Sequence, residues 1–206
     1  MTRAMVRILF VATTTLACTN GVDGSEFQAN VCDDLGYRPL KGVTAGVRVD
    51  YMELHHAFGA TAKEGTPCPN GTPCALELFN TRPAVGWTTP NTVGKLGPLG
   101  PNYLVFTRGD DVGVVTSIPD LKAFLAPIEN GHDAALVVTE SLGHTLLCQD
   151  DNVRAGDGGV EVATQSGVAC GAGTHVDEHV VFVATNGDVT IRQTFVVETG
   201  SSSCSL

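Results

Sequence analysis

"HVVFVATNGDVTIRQTFVV", residues 179–197, decides the fold. Two runs rich in Val, Phe, Thr and Ile flank Asn186-Gly187. Asn-Gly between such runs is a strong hairpin signal, because both residues tolerate positive φ. The end of the chain is therefore read as two antiparallel strands. Upstream, "GVEVATQ" (159–165) reads as another strand, and "YLVFT" (103–107) and "VGVVT" (112–116) flank Arg108-Gly-Asp-Asp111 as a second hairpin. "SIPDLKAFLAPI" (117–128) breaks the pattern. Its Leu121, Phe124, Leu125 and Ile128 fall at helical spacing, with Ser117 as N-cap and Pro119 in the first turn. "AALVVTE" (134–140) and "HTLLCQ" (144–149), separated by Ser141-Leu-Gly143, read as strands. So does "GVTAGVRVDY" (42–51), whose apolar residues alternate; "MELHHAF" (52–58) suits either a strand or a short helix. The fold class expected is α+β: a mostly antiparallel, meandering β-sheet with one or two short helices, braced by disulfides.

Composition narrows the setting. Of 206 residues only 17% are charged, against 24 glycines, and the net charge is −10. A chain this acidic without a basic patch has no electrostatic footprint for nucleic acid. The stretch 82–102 carries Pro83, Pro90, Pro98 and Pro101 and reads as a long surface connection. The organisation expected is a signal peptide over 1–17, a flexible tether over 18–30, and one β-rich domain over 31–206 with 31–102 as a looser subdomain.

The first 17 residues carry an address. Arg3 and Arg7 precede ten uncharged residues, Ile8 to Ala17, and Cys18 follows. About 20 apolar residues are needed to span a bilayer, so the run is too short to cross. A basic start, a short apolar middle and small residues at the end describe a secretory signal. Thr15-Leu16-Ala17-Cys18 resembles the lipobox of bacterial lipoprotein precursors, with Leu16 one place later than the usual leucine. That resemblance implies cleavage before Cys18, acylation of its thiol, and a membrane as partner through the lipid. Thr15-Leu16-Ala17 also fits ordinary signal-peptidase cleavage. Residues 117–138 are similar to uncharacterised bacterial envelope lipoproteins. Cutting before Cys18 removes Arg3 and Arg7 and no acid, leaving 10 basic against 22 acidic residues, a formal charge of −12. Such a chain is repelled by anionic headgroups, so a lipid must supply the attachment.

The cysteines fit an oxidising compartment. There are seven, and spending Cys18 on lipid leaves six. Cys68 and Cys74 close a Pro-Asn-Gly-Thr-Pro loop and are paired. Cys148 ends one strand and Cys170 follows the next, which pairs them. Cys32 and Cys204 remain, and their bond would tie the two ends of the domain.

Two clusters invite chemistry. On a strand, His175, Asp177 and His179 would share a face and offer two imidazoles and a carboxylate to zinc or another divalent ion. The competing reading is three solvated residues opening an edge strand. Glu53, His55 and His56 form a polar knot in which a Glu–His pair would serve as a general base. Common catalytic signatures are missing: Ser141 lacks the first glycine of a nucleophile elbow, and Asp150-Asp-Asn152 does not continue as a calcium loop. Arg108-Gly-Asp110 is explained as a hairpin tip. The function expected is an exported, lipid-anchored cell-envelope protein acting as a non-enzymatic binding or structural module, with no catalytic residue assigned. The alternative is an exported hydrolase or divalent-metal enzyme whose site is assembled from dispersed residues.

Overall fold

The hairpin at 179–197 forms and is longer than its apolar core. In a computed structural model, which describes residues 21–56, 59–90 and 101–200, a 3-10 turn (Gly24–Glu26) is followed in chain order by eleven strands and three α-helices. They are β1 (Cys32–Asp33), β2 (Gly36–Tyr37), β3 (Tyr51–His56), β4 (Gly59–Gly65), α1 (Thr72–Asn80), β5 (Tyr103–Arg108) and β6 (Asp111–Val115). Then come α2 (Ile118–Leu125), α3 (Gly131–Leu142), β7 (Thr145–Leu146), β8 (Val153–Gly156), β9 (Gly159–Gly167), β10 (His175–Ala184) and β11 (Val189–Thr199). The β10–β11 loop closes through Gly187 N to Ala184 O (2.8 Å) and Ala184 N to Asp188 O (2.9 Å), with Gly187 at φ 85°. Glycine supplies that conformation without steric cost.

The strands form two larger antiparallel sheets and a short ribbon, an α+β, β-rich and disulfide-braced architecture. One sheet runs β11-β10-β9-β7 with β8 also on β9; the other runs β4-β3-β5-β6; β1 and β2 pair alone. One hydrophobic core draws on Met52, Leu54 and Leu104 of the second sheet, Leu121 and Leu125 of α2, Leu136 to Val138 of α3, and Val160, Val162, Val181 and Val183 of the first sheet.

Three strand assignments change. Residues 134–140 are helix, not strand. Ala134, Ala135, Leu136, Val137 and Val138 are all fully buried, and a helix buried all round shows no amphipathic period to separate it from a buried strand. Its ends carried the missing information. The Asn130 side chain accepts from Asp133 N (2.9 Å), and Gly143 closes the helix at φ 69°. Residues 42–50 are loop, with the strand beginning only at Tyr51. This loop is pressed on α2: Gly46 N bonds Phe124 O (2.9 Å), and a Cβ at Gly46 would overlap the Ala126 carbonyl oxygen. Of 144–149 only Thr145–Leu146 pairs as strand.

The segment read as a tether is packed from Val22 onward. Phe27 is buried against Ala163 and Val180, Val22 N bonds Glu178 Oε2 (2.8 Å), and Ala29 bridges to Val153. This strip also corrects the disulfides. Val31 N bonds Asn152 Oδ1 (3.0 Å), which lays Cys32 beside Cys148, and these two form a bridge across 116 positions. Cys148–Cys170 and Cys32–Cys204 are therefore not the pairs. Cys170 is itself disulfide-bonded, while Cys68–Cys74 forms as expected. The signal-like run 1–17, Cys18, Cys204 and residues 91–100 of the proline-rich connection lie outside the described residues.

Candidate functional site

The second sheet has two unlike faces. Met52 and Leu54 join the shared core, so by strand alternation Tyr51, Glu53 and His55 point the other way, toward α1. At nine residues α1 is too short to hold helix in isolation. Its first turn is clamped by Cys68–Cys74, and Asn70 Nδ2 donates to Asp110 Oδ2 (2.9 Å) at the tip of the β5–β6 hairpin. The expected hairpin tip Arg108-Gly-Asp110 thus anchors the helix. Cys74 faces inward, whereas Leu76 is 59% exposed and Phe79 71% exposed.

Between α1 and the β3–β4 pair lies a groove of about 340 Å³. Tyr51, Glu53, Lys63, Leu78, Phe79 and Arg82 set its chemistry. The Glu53 carboxylate accepts from Tyr51 Oη (3.0 Å) and pairs with Lys63 Nζ (3.3 Å). Burial, with Glu53 as acceptor, holds the Tyr51 phenol far above its ordinary range. The Arg82 guanidinium donates to Thr81 O (2.6 Å) and sits 5.9 Å from the Phe79 ring centroid. Beneath, His55 stacks on Tyr103 with centroids 4.5 Å apart. Its Nε2 lies 3.0 Å from Glu53 Oε1 but is not aligned to hydrogen-bond, so contact distance alone overstates this pair. Burial lowers the His55 pKa despite the adjacent carboxylate, which leaves a neutral ring at pH 7. His55 Nε2 and Thr107 Oγ1, on the same sheet face, have no hydrogen-bond partner among the described residues.

The Glu53–His55–His56 knot is split by the sheet. His56 turns to the core side, where its Nε2 meets Glu140 of α3 (3.1 Å) and its pKa rises because of that bond. Glu140 also accepts from Trp87 Nε1 (2.9 Å), and Trp87 bridges to Asn102. This cluster pins the connection after α1 to the central helix.

A second polar group lies on the helix-facing side of the first sheet. His144, just past α3, and His179 of β10 stack with centroids 4.6 Å apart. His179 Nε2 is 2.8 Å from Ser166 Oγ and its Nδ1 is 3.0 Å from Thr194 Oγ1, while His144 Nδ1 is 3.0 Å from Thr164 Oγ1. Burial, then the neighbouring His179, push His144 down to about 4, and burial lowers His179 against the pull of Asp177. Both rings are neutral at pH 7.

The candidate metal trio does not assemble. His175 Nε2 meets Asp177 Oδ2 at 3.1 Å, but both ring nitrogens of His179 are taken up by hydroxyls. Among the described residues no group of three His, Cys, Asp or Glu side chains is placed to hold a metal ion. Two other residues weighed in the sequence are structural: Asn152 is fully buried and donates to Leu147 O (3.0 Å), and Ser141 Oγ donates to Val137 O.

The sequence pointed to Glu53 and to the Cys68–Cys74 loop, but not to Tyr51, Lys63, Phe79 or Arg82 as one site. Lys63 reaches Glu53 through pairing of β3 with β4, and Arg82 arrives from beyond α1. No local spacing encodes either approach. Ser166, His144 and Thr194 were likewise unmarked, since they meet only through strand register. No protein family, curated protein or solved structure matches the chain.

Proposed function

We propose that this is an exported, lipid-anchored protein of the bacterial cell envelope whose disulfide-clamped groove binds an amphipathic carboxylate, and that it works as a binding module. The observation that carries this reading is the groove itself. A 71% exposed phenylalanine stands beside a guanidinium, above a floor holding Glu53, Lys63 and Tyr51. An apolar ligand segment would lie on Phe79 and Leu78. Its carboxylate would meet Arg82, whose planar fork matches that group. Lys63 is neutralised by Glu53, so Arg82 is the cation left for the ligand. Export is supported by the basic start and apolar run before Cys18, and by disulfides of a kind that persist in oxidising compartments. Attachment rests on the lipobox-like Thr15-Leu16-Ala17-Cys18.

Two measurements test the reading. Mass spectrometry of the N-terminus from membrane-extracted protein is expected to find a diacylated Cys18. An unmodified Cys18 in a soluble product would remove the anchor. Titration with carboxylate-bearing apolar peptides is expected to show binding in wild type and about tenfold weaker binding in Arg82→Ala; indifference to that substitution would remove the ligand.

A hydrolase is the second reading, favoured by one contact. Ser166 Oγ lies 2.8 Å from a neutral His179 Nε2, an arrangement in which imidazole takes the hydroxyl proton during attack on an acyl carbon. Thr194 stands where triads place a carboxylate, and His179 is only 5% exposed. A fluorophosphonate probe that labelled wild type and spared Ser166→Ala would establish this reading over the binding module.

A further inference from the structure

β11 is the outermost strand of the first sheet, and among the described residues no strand lies against its outer side. It is eleven residues long, against five to seven for the strands of the second sheet. Residues 190–194 and Val196 are all exposed, with Ile191 at 45% and Val196 at 47%. Long exposed edges are usually blunted by lysine or proline, and Val189–Thr199 contains neither. Such an edge is a template for one more strand.

The charges select which strand. β11 carries two, Arg192 and Glu198, of opposite sign. Both lie on the sheet face turned away from α3. The Arg192 guanidinium sits 3.8 Å from the Phe182 ring centroid and bonds Glu161, while Glu198 pairs in register with Val176, which shares its face with Glu178, Val180 and Phe182. When the strand is laid antiparallel on a copy of itself about Phe195, Arg192 stands opposite Glu198 of the second copy. The twofold makes this pair twice, and no like charges meet. In the same register Thr194 faces Val196 and Ile191 faces Thr199 of the second copy. Gln193 to Val196 lie between two register shifts on the β10 side and run uninterrupted there, so the centre of the pairing is regular strand. A pairing centred on Arg192 or on Glu198 would instead set like charges against each other, which costs stability in a sheet.

We propose that the outer edge of β11 pairs antiparallel with the same edge of a second copy, centred on Phe195, joining two five-stranded sheets into one across a twofold axis. The contact is isologous, as a twofold requires, so assembly stops at the dimer. It uses the edge of the first sheet and leaves the groove of the second sheet open in both copies.

The test is cross-linking of the full mature chain with engineered cysteines at exposed positions. Mixing Thr194→Cys with Val196→Cys protein under mild oxidation is expected to give a dimer band on a non-reducing gel, and Thr194→Cys alone is expected to give at least tenfold less. Sedimentation should show self-association of wild type weakened about tenfold in Glu198→Arg, which sets two arginines opposite each other, with circular dichroism unchanged. A chain that stays monomeric at 100-fold excess over its working concentration, or equal cross-linking from Thr194→Cys alone, would overturn the pairing.

Discussion

The two sheets bury different things. Around β9 and β10 the helix-facing positions are Val160, Val162, Val181 and Val183 against the fully buried run of α3, and three ring nitrogens of His144 and His179 meet the hydroxyls of Thr164, Ser166 and Thr194, with Asp177 Oδ1 the buried polar atom left without a partner among the described residues of β9 and β10. Around β3 and β5 the α1-facing positions are Tyr51, Glu53, His55 and Thr107, two of which keep a buried polar atom unmatched among the described residues. Buried polar atoms without partners cost free energy that apolar packing does not. The first sheet is thus arranged for stability, and the second carries chemistry on a face covered by a nine-residue helix on a disulfide. Low local stability at a binding element is the expected trade.

Breaking the first region should cost most. Replacing Cys32 and Cys148 by serine opens a loop of 116 positions and is expected to lower unfolding free energy by about 4–5 kcal/mol. Replacing Cys68 and Cys74 opens a loop of six and should cost about 2 kcal/mol. Chemical denaturation of the two double variants reads the difference, and equal losses would contradict the division. In the same assay Leu136→Ala, at a fully buried position, should cost about 2–5 kcal/mol, while Leu76→Ala on exposed α1 should stay within about 0.5 kcal/mol.

Acid should act next, again through the first region. His144 titrates near 6.5 when unfolded and about 4 when folded, so the unfolded chain binds more protons between those values. Stability is then full above pH 6.5 and falls as pH drops toward 4, by about 3 kcal/mol for this group. Melting in His144→Gln should lose most of that slope. The opposite sign holds for His56, whose pKa is raised by Glu140. Its contribution is present below pH 6.5 and fades above it, and because the ring is partly exposed the effect should be a small fraction of the first. His56→Gln should flatten only the alkaline side of the stability profile.

These regions also differed in how plainly the sequence announced them. In the first sheet β9, β10 and β11 stood out because Val, Phe and Thr runs, two of them joined by Asn186-Gly187, have few other uses, whereas β8, at four residues, carried no such run. The buried helix after Asn130 was misread since its five consecutive apolar residues suit either element, although Asn130, Asp133 and Gly143 marked both ends. Residues 42–51 alternate like a strand, yet Gly42 at φ 75° and the close approach of Gly46 to Ala126 hold 42–50 as loop, and the strand begins only at Tyr51. Of the groove, Glu53 and the Cys68–Cys74 clamp were legible because each is local. Arg82 and Lys63 were not, because their meeting is a product of tertiary packing. The same holds for Cys32–Cys148, which depends on the N-terminal strip lying along β8.

The smallest expected effect bears most directly on the central claim, that the α1 groove is a binding site for an amphipathic carboxylate. The measurement is an amide NMR titration of the mature chain with acetyl-phenylalanine and with its carboxamide. Shifts are expected to be confined to Lys63, residues 68–79 and Arg82, with about tenfold weaker binding for the amide and loss of that preference in Arg82→Ala without a change in melting point. Shifts elsewhere, or equal binding of acid and amide to the wild-type groove, would contradict that claim.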